Sequence, residues 1–249
     1  MKPLFTLALV VVLAGCGGEN TPAPGETPGA PQDAKSQALE AGAALMQDKT
    51  PVSKLNSYLD GFHFYSGNLG MQVEAHHYCE QINGDMHQCV IYDGNGEDAR
   101  IMGVEYILSE KLFKTLPEDE KKLWHSHDYE VTSGTLIAPG IPDAAEHELM
   151  ENLVATYGKT WHTWHSHDSR GATLPLGPAQ LMMGFTADGQ LQPALQAARD
   201  QRFGISTANK RQQRADIQAP PVQPGANSWM TGDAVQLKVE SVGGEKAVE

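Results

Sequence analysis

Two apolar segments on either side of a turn-forming loop constrain the fold of this chain more than any other feature of its sequence. The segments are 89–92 and 101–108, and the loop 93–98 between them contains two glycines, an asparagine and three acids. Apolar runs joined by such residues are typical of a β-hairpin with a longer loop. The sequence therefore predicts a pair of antiparallel strands near the middle of the chain.

Further strands and helices are expected after this hairpin. They are a second hairpin (129–131 with 135–137), a helix over 143–157 that ends at Gly158 as a C-cap, a strand over 160–167 and a helix over 193–203. Strands and helices that alternate through hairpins are typical of α+β proteins. We therefore expect an α+β fold: a single domain with a mainly antiparallel sheet and flanking helices.

The composition is that of a soluble domain with an acidic surface. The 249 residues include 18 basic and 31 acidic side chains, which gives a formal net charge of −13. Nucleic-acid binding depends on clustered Lys and Arg side chains, and the sequence contains no basic block. The sequence therefore predicts no nucleic-acid partner.

The N-terminus has the pattern of a bacterial lipoprotein signal. Lys2 precedes an apolar stretch of 11 residues over 4–14, which is too short to span a bilayer as a helix and ends in Leu13-Ala14-Gly15-Cys16. This pattern predicts a signal peptide over 1–15, acylation of Cys16 and a membrane as partner. The protein would then lie in the bacterial cell envelope, on the periplasmic face of the outer membrane in a Gram-negative host. An ordinary secretory signal that contains a cysteine is the alternative.

The composition also suggests the domain boundaries. Residues 16–33 comprise the lipidated cysteine and a stretch of mainly Gly, Pro, Thr, Glu and Ala, which predicts a flexible tether. We expect the α+β domain over 34–215 and a Pro-rich C-terminal extension over 216–249.

Histidines are numerous, and they suggest a metal site. The chain has 10 of them, and His125 and His127 would point to the same face of a strand, with Glu130 close behind. Imidazole and carboxylate ligands favour Zn, Fe or Mn over Ca or Mg. His77 or His162 would serve as a fourth ligand or as a general base. The His-x-His-x-x-Glu spacing is shorter than that of cupins, which weakens a cupin interpretation but leaves it open.

A second histidine pair repeats the first. Trp124-His125-Ser126-His127-Asp128 recurs forty positions later as Trp164-His165-Ser166-His167-Asp168, although the flanking residues differ. His165 and His167 offer the same geometry with Asp168 beside them. The alternative is that these histidines are hydrogen-bonded groups at the rim of a core that contains the tryptophans.

Two cysteines remain besides Cys16. Cys79 and Cys89 lie ten residues apart, and an even number of cysteines in an envelope compartment favours a disulfide. Two buried reduced thiols or a single metal-bound thiolate are the alternatives.

An ordered set of short segments carries a resemblance to a known family. The segments are His63-Phe64-Tyr65, His77-Tyr78-Cys79, Gln88-Cys89-Val90-Ile91-Tyr92-Asp93, Gly103-Val104-Glu105-Tyr106, Leu123-Trp124-His125-Ser126-His127, Tyr129-Glu130-Val131-Thr132-Ser133-Gly134, Tyr157-Gly158-Lys159-Thr160, Leu174-Pro175-Leu176-Gly177 and Asn227-Ser228-Trp229. Over roughly 50–230 the chain resembles the oil body-associated proteins of plants, whose bacterial and fungal relatives carry a domain of unknown function. The resemblance implies association with seed lipid bodies for the plant members, and it implies no established catalytic residues.

Two functional hypotheses follow, and the sequence does not decide whether the chain is an enzyme. The first is an anchored lipoprotein that binds a lipid or a protein partner through a His-rich pocket. The second is a metal-dependent enzyme in which the metal polarises a substrate or activates water. In either case we expect His125 and His127 to lie near at least one of residues 63, 77, 105, 130 and 162, because buried polar groups must be paired.

Overall fold

The computed structural model describes residues 20–165 and 173–243. The predicted signal peptide, Cys16, His167 and Asp168 lie outside the described residues. Within the described ranges the chain forms seven strands and seven α-helices. The strands are β1 (Ser57–Tyr65), β2 (Asn68–Asn83), β3 (Met86–Tyr92), β4 (Ile101–Ser109), β5 (His125–Ser126), β6 (Thr156–His162) and β7 (Gln180–Met183). The helices are α1 (Ala34–Met46), α2 (Glu110–Phe113), α3 (Glu118–Lys121), α4 (Asp128–Thr132), α5 (Asp143–Leu153), α6 (Pro193–Phe203) and α7 (Thr207–Gln213).

Six of these strands close into an antiparallel barrel. Their order is β1-β2-β3-β4-β6-β7, and β7 pairs back with β1 through Phe64–Met183 and Tyr65–Met182. The pairing of β4 with β6 runs from Gly103–His162 to Ser109–Thr156 and joins the two halves of the sheet. The short β5 adds to β6 beside them.

The prediction of an α+β sheet with flanking helices is therefore wrong. β4 hydrogen-bonds with β3 on one side and with β6 on the other, so the sheet curls on itself and has no free edge there. Four of the helices have seven residues or fewer and do not form a layer. An open sheet and a barrel share the same two-residue side-chain alternation, so the sequence pattern could not distinguish them.

Individual elements were predicted with mixed success. The hairpin of 89–92 with 101–108 and the helix over 193–203 are confirmed as β3–β4 and α6. The expected hairpin around Ser133-Gly134 is wrong, because residues 128–132 form α4. The expected helix over 143–157 ends at Leu153, and Gly158 lies inside β6 rather than at a C-cap.

The barrel interior has a polar layer between two apolar layers. One apolar layer contains Tyr65, Val73, Ala75, Ile91, Met102 and Met182. The other contains Leu59, Cys79, Cys89 and Ile107, and it continues into Val131, Leu136, Met150 and Leu153 beyond the strands. Cys79 and Cys89 face each other across β2 and β3 and are joined as a disulfide in this second layer.

The outer face of β1 and β7 is also buried. Phe62, Phe64 and Met183 pack there with side chains that include Leu195 of α6 and Trp229 of the C-terminal segment. Arg199 of α6 is completely buried and donates to Asp60 Oδ1 on β1 at 3.0 Å. This pairing fixes α6 against the barrel wall, because an unpaired buried charge would be strongly destabilising.

Across residues 20–165 and 173–243, no helix combines the length and the apolar character that a membrane span requires.

Candidate metal centre

A cluster of buried imidazoles and carboxylates fills the polar layer of the barrel. We call it the histidine–glutamate cluster, and it consists of His63 on β1, His77 on β2, Glu105 on β4, His125 on β5, His127 and Glu130 at α4, and His162 on β6. Cross-strand register places the strand residues on the inner face: Leu59 pairs with His77, Cys89 with Glu105, and Gly103 with His162. Elements that are far apart in sequence thus converge on one point.

The Glu105 carboxylate lies at the middle of this cluster. Its Oε2 is 2.9 Å from His77 Nε2 and 3.9 Å from His63 Nε2, and its Oε1 is 3.2 Å from His127 Nε2 and 3.5 Å from His125 Nε2. Ligand atoms about 2.1 Å from a tetrahedral metal ion are separated from each other by roughly 3.4 Å. The 3.2 Å and 3.5 Å distances from Oε1 are close to this separation. Two sets of ligand atoms lie within 4.8 Å of one another: His63, Glu105 and His125, and His125, His127 and Glu130.

The segment that carries His125 and His127 is not a regular strand. β5 contains only His125 and Ser126, and His127 has φ −93° and ψ 0°, so the expectation that one strand face presents both histidines is wrong. The turn into α4 instead brings both rings inward. Asn227 of the C-terminal segment holds the turn, because its Oδ1 accepts from Ser126 N at 3.0 Å and its Nδ2 donates to Ser126 Oγ at 2.8 Å.

Two glycines provide the space that the cluster occupies. A Cβ at Gly158 would overlap Glu105 Oε1 and lie 2.8 Å from His127 Nε2. A Cβ at Gly184 would lie 2.8 Å from His125 Cδ2. A cavity of about 20 Å³ remains beside the cluster, lined by polar groups that include His63, Glu105 and Glu130. Such a cavity has room for one water molecule or one ion.

Burial sets the protonation states in the cluster. It lowers the pKa of His125 to about 3, and it lowers the pKa of His63 well below its usual range, although the Glu105 charge opposes both shifts. Burial acts to raise the pKa of Glu105, but hydrogen bonds from His127 and His77 outweigh it and hold that pKa well below the usual range. The site therefore presents the neutral imidazoles of His63 and His125 beside an ionised carboxylate, and metal binding requires ligands in these states.

Glu130 has the opposite shift. Burial and the charges of Glu105 and Asp128 raise the pKa of Glu130 well above its usual range. Its Oε2 lies 4.0 Å from His125 Nε2. The two carboxylates of the cluster thus have pKa shifts of opposite direction, and a cation bound nearby would lower the pKa of Glu130.

The ring nitrogens of His125 lack hydrogen bonds among the residues that the structure describes. His125 is fully buried. Its Nε2 approaches Glu105 Oε1 at 3.5 Å without hydrogen-bonding geometry. Buried polar atoms in native proteins are nearly always paired, so we expect Nε2 of His125 to bind a ligand.

The structure brings together all the candidate metal ligands proposed from the sequence. His77, His125, His127, Glu130 and His162 belong to the cluster, and the His162 ring lies 5.5 Å from the His63 ring. His63 and Glu105 lie at the middle of the cluster, whereas the sequence predicts them only as residues near His125 and His127. The signal for Glu105 was a carboxylate inside the apolar run 101–108.

His165, the member of the second histidine pair that the structure describes, lies outside the cluster. His165 Nδ1 lies 3.1 Å from the Tyr65 hydroxyl and His165 Nε2 lies 3.0 Å from the Pro178 carbonyl oxygen, at one end of the barrel.

Another buried group of acids and histidine lies on the outer wall. Asp60, Glu74 and His76 come together there, but Arg199 pairs with Asp60 and Arg202 pairs with Glu74. Two guanidinium groups already balance the carboxylates, so this group does not need a metal ion.

Comparisons with known proteins identify the family. A family described as "protein of unknown function (DUF1264)" matches residues 49–218, which include every member of the cluster. Oil body-associated protein 1A of Zea mays is 42% identical over 219 residues, which cover 87% of this chain and 90% of the relative. The chain belongs to the oil body-associated protein family. Oil body-associated protein 1B of Arabidopsis thaliana is 41% identical over 224 residues, which cover 87% of this chain and 92% of that protein.

The family assignment confirms the resemblance that the sequence motifs indicated. The barrel and its cluster lie inside the matched region, and no solved structure matches the chain. These relatives are plant proteins, and the bacterial lipoprotein anchor stays a proposal.

The pKa shifts predict how the cluster responds to acid. In the metal-free protein His125 should stay neutral as the pH falls from 7 to 5, whereas an unfolded histidine takes up a proton near about 6.5. The unfolded state then binds more protons, so His125 contributes stability that is lost progressively between about pH 6.5 and its folded pKa of about 3. Glu130 opposes this trend in part, because its raised pKa has the reverse sign.

Ring ¹³C–¹H chemical shifts of the metal-free protein measure this directly. The His125 resonances should be flat between pH 7 and 5. Half-buried His147, whose pKa is raised by the hydrogen bond to Asp216, should titrate in the same spectra and serves as the internal control. A His125 titration centred near pH 6.5 would contradict the burial argument.

Proposed function

We propose that this protein binds a divalent transition-metal ion in the middle of its barrel. The single observation that carries the proposal is the position of four Nε2 atoms, those of His63, His77, His125 and His127, within 2.9–3.9 Å of the Glu105 carboxylate. A cation there would bind Nε2 of His125, which lacks a partner, and would be balanced by the Glu105 charge.

The ligand types indicate which metals fit. The cluster offers imidazole nitrogens and carboxylate oxygens. The two cysteines of the barrel are joined in a disulfide and provide no thiolate ligand. Nitrogen and oxygen ligands of this kind suit Zn, Fe or Mn, whereas soft ions such as Cu(I) prefer thiolates. Zinc, iron and manganese are therefore the ions we propose.

Metal content should depend on the paired histidines. The purified protein, stripped with a chelator and reloaded with Zn, should hold about one ion per chain by elemental analysis. His125→Ala with His127→Ala should weaken binding by at least about 100-fold, because it removes two ligands and even second-shell changes cost 10–100-fold. His147→Ala removes a half-buried histidine that lies outside the cluster and is the control. A stripped protein that takes up no ion above the level of the double variant would overturn the proposal.

Metal-dependent catalysis is a second candidate. The cluster holds seven potential ligand side chains, more than the four of a closed structural zinc site, and the cavity of about 20 Å³ lies beside it. A metal in such a site would polarise a substrate or activate water. Glu130, whose pKa burial raises in the metal-free protein, would ionise more readily next to the cation and could then accept a proton.

Cobalt substitution distinguishes a catalytic site from a structural one. If a coordination position is open, azide added to the Co²⁺-loaded protein should change its visible absorption spectrum, because the anion can replace a water ligand. A spectrum that azide does not alter would indicate a closed site and would remove the catalytic candidate.

A binding role without catalysis is supported by a larger cavity. It has a volume of about 450 Å³, lies at the end of the barrel near Tyr65 and His165, and combines apolar side chains such as Met71 with the polar Gln180 and Gln236. Cavities of this size hold small amphipathic molecules. We propose a lipid or a partner segment as the ligand if the metal proves to be structural.

We also propose that the chain is anchored to a bacterial envelope membrane through acylated Cys16. The support is the sequence pattern over 1–16, since acyl chains contribute about 0.8 kcal/mol per buried CH₂ group.

Replacement of the cysteine tests the anchor. In bacterial cells Cys16→Ser should shift the protein from the membrane fraction to a soluble or unprocessed form and should abolish labelling by a radioactive fatty acid. Gly18→Ser, two residues further on, is a control that should keep both properties. Equal labelling of the Cys16→Ser variant and the wild type would disprove acylation at this residue.

A further inference from the structure

The segment that the sequence predicts as a flexible tether contacts the barrel at its beginning. We call residues 20–27 the docked segment. Thr21 N donates to Asn95 Oδ1 at 2.5 Å, Asn95 N donates to the Thr21 carbonyl oxygen at 3.1 Å, and Ala23 N donates to Asp98 Oδ2 at 3.3 Å. The β3–β4 loop thus hydrogen-bonds with the backbone of the docked segment at Thr21 and at Ala23.

Two arginines strengthen this contact. Arg100 is buried against Asp93, and its Nη2 donates to the Pro24 carbonyl oxygen at 2.9 Å. Arg202 Nε donates to Thr21 Oγ1 at 3.0 Å, and its guanidinium also pairs with buried Glu74. Hydrogen bonds from charged donors are stronger than neutral ones, so these contacts favour a fixed position for the segment.

Gly94 leaves room for the docked segment. A Cβ at this position would lie 2.5 Å from the Thr21 carbonyl oxygen and 3.3 Å from Ala23 N. Gly84, in the β2–β3 turn, has nothing within 4 Å of the same position. A methyl group at 94 would therefore push the segment away, and a methyl group at 84 would meet nothing.

The docking site lies at one defined end of the barrel. β3 ends at Tyr92 and β4 begins at Ile101, so the β3–β4 loop shares an end with the last residues of β1 and the first of β7, where the cavity of about 450 Å³ opens. The β2–β3 turn lies at the opposite end. A strand of seven residues spans roughly 23 Å, which is the approximate separation of the two ends.

We propose that the docked segment makes this end of the barrel face the lipid bilayer. The inference rests on acylation at Cys16. Thr21 lies five positions after Cys16, which allows at most about 18 Å between the acylated cysteine and the docking site. If the whole stretch up to Ala34 were free, eighteen residues would allow about 65 Å and every orientation of the barrel. The contacts of residues 20–27 thus shorten the distance that the chain allows between Cys16 and the barrel.

The experiment attaches the lipid chemically, so that it does not depend on acylation in cells. Protein that begins at Cys16 is coupled through that thiol to a maleimide phospholipid, while Cys79 and Cys89 are joined as a disulfide and do not react. An azide-bearing residue replaces exposed Glu97 in the β3–β4 loop or exposed Gln81 near the opposite end, and carries a dye. The proteins are bound to phosphatidylcholine vesicles that contain a headgroup quencher.

The dye at 97 should be quenched at least about twofold more than the dye at 81, because the ends differ by roughly 23 Å in distance from the surface. Gly94→Ala should reduce this ratio towards one, and Gly84→Ala should leave it unchanged. Equal quenching at both positions, or a ratio that Gly94→Ala does not alter, would overturn the proposal. Failure of Cys16 labelling in cells would contradict natural acylation alone and would leave the result with the coupled lipid standing.

Discussion

The buried carboxylate of Glu105 is the constraint on which the rest of the barrel depends. An ionised carboxylate in a protein interior is unfavourable unless opposite charges or hydrogen-bond donors surround it. Here Nε2 atoms from β1, β2, β5 and the start of α4 surround it. Burial acts to raise its pKa, but the hydrogen bonds from His127 and His77 outweigh burial and hold that pKa well below the usual range. The strands that carry these imidazoles must converge on Glu105, and an open sheet could not bring β1 and β4 face to face.

Closure through β4 and β6 is therefore linked to the chemistry of the interior. Register between these strands places Gly158 beside Ile107 and directly over the Glu105 carboxylate, where any side chain would collide with Oε1. Thr156, at the start of β6, contacts His127 Nδ1 at 2.8 Å through its hydroxyl and orients that ring. One strand thus completes the barrel, leaves space for the carboxylate and fixes an imidazole, so changes that move β6 would affect fold and site together.

The sequence predicted local pairs and ligand candidates better than the overall architecture. The β3–β4 hairpin was predictable because turn residues flanked by apolar runs are a local signal, and the His-x-His spacing identified His125 and His127 as partners. Barrel closure was not predictable, because β4 and β6 are about fifty residues apart and their alternation is the same in an open sheet. The prediction of Gly158 as a helix C-cap is wrong for a related reason. Glycine often ends a helix, whereas the space that Gly158 leaves for the Glu105 carboxylate, which is distant in sequence, produces no local sequence signal.

The arrangement of layers also determines from which side a molecule could approach the cluster. Leu59, Leu136 and Leu153 line the small cavity beside Glu105 and cover the cluster from the layer that contains the disulfide. Tyr65 lies on the other side, two residues beyond His63 on the same face of β1, and therefore about 7 Å from it along the strand. Tyr65 also lines the cavity of about 450 Å³. The cluster is thus separated from that cavity by a single layer of side chains, in which Tyr65 and Met182 are paired across β1 and β7. Displacement of these two side chains would connect the cavity to the imidazoles, whereas the leucine side has the hydrophobic core behind it.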